Sequence, residues 1–123
     1  MTFEMLAYVM TFAGCLLGAR FIFAGASVLK EWGIAVSDGP LVMGRRIGAL
    51  YLGLALMFFL GRAAPPSELR SAACLGIAVA SALLACLGLF ELRARRVTSG
   101  IIVPSIVEAV LATGCVWVWW TGR

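Results

Sequence analysis

Four apolar runs dominate this chain, each close to the length needed to cross a hydrocarbon core and none alternating with polar residues. They cover about residues 5–29, 41–60, 71–90 and 101–120. Continuous apolarity predicts helices rather than barrel strands, because a barrel strand turns every second side chain toward a polar lumen. The 123 residues are 63% hydrophobic and only 13% charged, too little charge to cover a soluble surface. The expectation is an all-α membrane protein: one integral-membrane domain over residues 1–123, folded as an antiparallel four-transmembrane-helix bundle. "MTFEM" lacks a basic start and carries Glu4, so no cleaved signal is expected there.

Orientation follows the basic residues of short connections. Lys30, Arg45, Arg46, Arg93, Arg95 and Arg96 fall on one side, and Arg62, Arg70 and Arg123 on the other. The richer side is expected in the cytoplasm of a bacterial inner-membrane protein. That places the loops at 30–40 and 91–100 inside and both termini in the periplasm. "ELRARR" at Glu91–Arg96 carries most of this signal and reads as a topology anchor rather than a nucleic-acid site. Trp117, Trp119 and Trp120 close the last run, where indole rings favour the headgroup region.

Lipid does not drive helices together as water does, so close backbone approach has to be written into the sequence. Gly14 and Gly18 form one GxxxG pair, and Gly44 and Gly48 another. Ala72, Gly76 and Ala80 make a small-residue stripe on the third run, and Ser105, Ala109 and Thr113 one on the fourth. A motif of this kind on every span predicts a tight bundle, with a face left for a second copy or a partner subunit.

"PSIVEAVLATGCVWVWW" holds one carboxylate, Glu108, among apolar residues. It lies nine residues beyond Ser99, about 13 Å along a helix. Arg20 precedes Lys30 by ten residues, about 15 Å if the first helix is continuous. With the two helices running in opposite directions these depths match, so Arg20 and Glu108 are expected to pair inside the bundle. Arg45 and Arg46 point about 100° apart, so one of them can face inward. Arg20, Arg45 and Arg46 together would leave positive charge for an anionic lipid headgroup or a quinone carbonyl.

The chemistry that is missing narrows the function. There is no histidine, which removes bis-His haem and His-ligated metal sites. Cys15, Cys74, Cys86 and Cys115 form no CxxC, and free cysteine packs as a small apolar residue. No phosphate loop, dinucleotide fingerprint or nucleophile elbow occurs. No catalytic residue, metal or cofactor is therefore assigned.

"GARFIFAGASVLKEW" and "RRIGALYLGLALMFFLGR" resemble the DoxX-like group of small bacterial membrane proteins. Arg20, Phe21, Phe23, Gly25 and Lys30 stand in the style of that group's aromatic, glycine-rich first helix. The resemblance implies a four-helix bundle and an accessory role in a respiratory or redox-linked membrane complex. Three functions follow as expectations. The first is a non-catalytic accessory or interaction subunit, oligomeric or bound to a partner. The second is a small dimeric transporter or channel that uses Glu108. The third is an anionic-lipid or quinone binder.

Overall fold

The structure is a computed structural model in which residues 1–122 are described; Arg123, counted above with the sparser basic side, lies outside the described residues. All regular structure among them is helical. It comprises α1 (Phe3–Phe23), α2 (Gly25–Glu31), α3 (Asp38–Gly61), α4 (Glu68–Arg93) and, after a 3-10 turn at Ser99–Ile101, α5 (Ile102–Thr121). Helices α1, α3 and α4, and the 3-10 turn together with α5, are long and apolar enough to cross a membrane.

Local chemistry sets the helix ends. Thr2 caps α1 by accepting a hydrogen bond from the Met5 amide at 3.2 Å, and Ser67 caps α4 by accepting one from Arg70 N at 3.2 Å. The expected first helix over residues 5–29 is not continuous. Ala24, at φ −128° and ψ 34°, leaves the helical region and divides it into α1 and α2. Arg20 therefore sits in the last turn of α1, not 15 Å inside a longer helix.

α1 packs on α3 through its glycines. Gly14 lies against Ala55, Gly18 against Gly48 and Leu52, and Gly44 against Phe21, a register that runs in opposite directions along the two helices. Gly14, Gly18 and Gly48 are buried. A Cβ on Gly48 would sit 2.8 Å from Gly18 O, and one on Gly18 would sit 2.9 Å from Gly48 O. No side chain fits between the two backbones. Thr11 works at the same seam, its hydroxyl 2.8 Å from Ala7 O and 3.3 Å from Ala55 O.

α4 packs on α5, but on different faces from those expected. Ala72, Gly76 and Ala80 are exposed, and a Cβ on Gly76 would meet nothing within 4 Å. The buried positions are Cys74, Ala78, Ser81 and Ala85, beginning two residues later and so about 200° around the helix. On α5, Ser105 is buried as expected, whereas Ala109 and Thr113 are exposed. Ala112, Cys115 and Val118 complete the buried face. Cys74 and Cys115 are free thiols inside the core.

The α1–α3 pair meets the α4–α5 pair at both ends. At the end carrying the termini, Leu6 joins Cys74, Ala78, Cys115 and Val118 in one core cluster. Arg70 closes that end by donating to Ala64 O at 3.1 Å and Gly122 O at 3.2 Å, while its guanidinium lies 4.8 Å from the centre of the Phe3 ring. The opposite end is closed by a hydrogen-bonded clip described below.

Gly48→Ala should cost about 1–3 kcal/mol, because the added methyl overlaps a backbone carbonyl that cannot move without parting the helices. Gly53→Ala, where a Cβ meets nothing within 4 Å, should be neutral or stabilise by up to about 1 kcal/mol through helix propensity alone. Thermal unfolding of both variants in one detergent checks the contrast.

Candidate functional site

Glu108 belongs to the inward face of α5. Ile101, Ser105, Ala112, Cys115 and Val118 are buried on that face, and Glu108 falls between Ser105 and Ala112 at helical spacing. It lines a half-open cavity of about 330 Å³. Leu84, Leu87 and Gly88 of α4 form one wall, Ile101 and Pro104 a second, and Trp32 with Ile34 the cover. Gly88 leaves room there: the Ser105 hydroxyl sits where a Cβ on residue 88 would be. That hydroxyl is buried and makes no hydrogen bond.

The cover is held by backbone chemistry. α2 ends in a Schellman turn in which Gly33, at φ 71°, donates to Lys30 O at 3.1 Å and Ile34 donates to Leu29 O at 2.8 Å. From the α4–α5 connection, the Thr98 amide donates to Trp32 O at 2.9 Å and the Thr98 hydroxyl to Glu31 O at 2.6 Å. Gly100 closes on the same Glu31 carbonyl, where a Cβ would collide. The Trp32 ring meets Phe21 edge-on at 5.9 Å, and Phe21 stacks on Tyr51 at 6.0 Å and 12°. An aromatic stack therefore runs from Trp32 through Phe21 to Tyr51 on α3.

The rim is formed by "ELRARR". α4 also ends in a Schellman turn, with Arg95 N donating to Leu92 O and Arg96 N to Glu91 O, both at 3.0 Å. Here the left-handed residue is Arg95, at φ 59°. The turn brings the Arg96 guanidinium back onto the Glu91 carboxylate and over the Phe90 ring, 5.3 Å from its centre. The six residues read as a topology anchor thus also build one edge of the cavity.

The expected charge pair is not formed. Arg20 pairs with Glu31, because the break at Ala24 turns α2 back alongside the last turn of α1. Their side chains are 38% and 48% exposed, so this bridge contributes little stability. Arg45 and Arg46 are both exposed, and neither turns inward. The structure does not gather Arg20, Arg45 and Arg46 around Glu108. Among the described residues the ion pairs are Arg20–Glu31 and Arg96–Glu91, and no cation pairs with Glu108. Nor does any group of three or more acidic or sulfur side chains there suit a metal ion. No motif marks Gly88 or Thr98 in the sequence, and Trp32 stands there only as an aromatic of the first cytoplasmic connection; the glycine after "KEW" is the one local signal that the chain turns sharply at the cover.

No family model, curated protein or solved structure matches the chain.

Two substitution sets test this geometry by thermal unfolding in detergent. Reversing both charges of the observed pair, Arg20→Glu with Glu31→Arg, should restore the stability lost by Arg20→Glu alone; Arg20→Glu with Glu108→Arg should not. Arg95→Gly should stabilise by about 1 kcal/mol, because glycine adopts the left-handed turn without steric cost.

Proposed function

We propose that the chain is an integral membrane protein, an antiparallel four-helix bundle, that binds a small and largely apolar molecule in the Glu108 cavity without catalysing its conversion. The observation that carries this reading is the Glu108 carboxylate, which faces an apolar cavity with no basic partner. A carboxylate at mid-helix in a membrane is costly, and such residues mark ligand or ion pathways more often than lipid-facing surface. The site is concave, mostly apolar, and carries a small number of polar groups, as small-molecule sites do. Four helices long and apolar enough to span a bilayer support the membrane assignment. The basic side of the chain would put Trp32 and the cavity rim toward the cytoplasm and the termini in the periplasm.

A transporter would use the same carboxylate and differs only in releasing its ligand on both sides. An anionic ligand loses its support, because Arg20 is taken by Glu31 and Glu108 would repel it. A partner-binding role in a membrane complex, as the DoxX-like resemblance implies, draws on a separate feature. Ala72, Gly76 and Ala80 form an exposed small-residue face on α4, against which a second helix could approach closely. A subunit that held a small molecule for its complex would unite the two readings.

The test is native mass spectrometry of protein gently extracted from its own membranes. Wild type should release a small molecule that is absent from both Glu108→Gln and the cavity-filling Leu84→Trp. Identical bound-molecule profiles in all three proteins would overturn the reading.

A further inference from the structure

The charges around the cavity limit what it can hold. Glu91 and Arg96 satisfy one another at the rim. Glu108 is then the one carboxyl group of the lining that no cation pairs with among the described residues. The walls beside it, Leu84, Leu87, Ile101 and Pro104, offer no hydrogen-bonding side chain. A neutral apolar guest would exclude water from the Glu108 carboxyl group and offer it neither a hydrogen bond nor a charge in return. An anion would add repulsion. A hard inorganic cation needs several oxygen ligands, and the cavity offers one free carboxylate.

A single positive charge on an apolar body answers both the unpaired carboxyl group and the apolar walls. The aromatic groups favour the same guest. Trp32 lines the cavity; its ring is held by the edge contact with Phe21, and its backbone by the Thr98 hydrogen bond to its carbonyl. A fixed indole face attracts a cation without the entropic cost of being ordered on binding. Resting on the reading that this cavity binds a small molecule, we propose that its ligand class is lipophilic monovalent cations: protonated or quaternary amines carrying an aromatic or branched alkyl group. Glu108 supplies the counter-charge, Trp32 the aromatic face, and α4 with α5 the apolar walls. A cavity of about 330 Å³ stands at the small end of ligand sites, which suits a compact amine and not a long-chain lipid.

Two probes of the same shape isolate the charge: benzyltrimethylammonium and neopentylbenzene, in which carbon replaces the quaternary nitrogen. Binding of each is measured by equilibrium dialysis against the full-length protein in phosphatidylcholine nanodiscs, with uptake by empty discs subtracted. Circular dichroism confirms that the variants are helical. The cation should bind wild type about tenfold or more tightly than the neutral probe. It should weaken by a similar factor in Glu108→Gln, stay within a few-fold in Glu108→Asp, and weaken several-fold in Trp32→Leu. Equal binding of the two probes, unaffected by Glu108→Gln but lost in Leu84→Trp, would overturn the cation assignment and leave the binding cavity standing. Binding of neither probe, or binding that Leu84→Trp does not disturb, would overturn both.

Discussion

Thr98 holds the end of α2 by two hydrogen bonds, and the cavity exists in its present form because those bonds are made. α1 with α3 and α4 with α5 are each tightly packed, yet the pairs touch each other mainly at their two ends. At one end an apolar cluster around Leu6 and Cys115 joins them. At the other the junction is polar: two donors of one threonine meet consecutive backbone carbonyls, and Gly100 allows the chains to come close enough. Space between the pairs remains where neither junction reaches, and Glu108 faces it.

The placement of charge follows from the same geometry. Two arginines are answered by acids near them in sequence: Arg20, expected inside the bundle, by Glu31, and Arg96, expected on the cytoplasmic side, by Glu91. Both bridges lie at helix ends, where solvent or headgroups can reach them. Their contribution to stability is small, and what they do is remove local cations from competition for Glu108. The unpaired carboxyl group is thus a consequence of how α2 and the α4–α5 connection fold back, and not of any shortage of arginine.

Hydropathy alone made the four long helices legible, because their length and apolarity are one-dimensional properties. The glycine seam was also readable: Gly14, Gly18 and Gly48 are the positions where α1 and α3 come closest. The faces of α4 and α5 were not. Alanine, serine and cysteine recur all around these helices, so Gly76 drew attention to a stripe that stands open while Cys74, Ala78, Ser81 and Ala85 were buried. Glu108 was found, but its surroundings were not. Matching depth with Arg20 ignored the direction around each helix axis, and no proline announced the break at Ala24. The contact between Thr98 and Trp32 joins residues far apart in the chain through a backbone carbonyl, for which no side-chain pattern is needed. The cover of the cavity could not have been read from residue types.

The order of the helices has a consequence for how the molecule comes into being. Each tightly packed pair is continuous in sequence, residues 3–61 and then 68–121, with "RAAPPS" between them and little packing of α3 on α4. Each half can therefore complete its own seam during synthesis, before the other half is needed. The join between halves is the smaller one, made by an apolar patch and the Arg70–Phe3 contact at one end and by a threonine clip at the other. In evolutionary terms the chain is divisible: a cut or an insertion at residues 62–67 interrupts neither seam, and two short genes could encode what one encodes here.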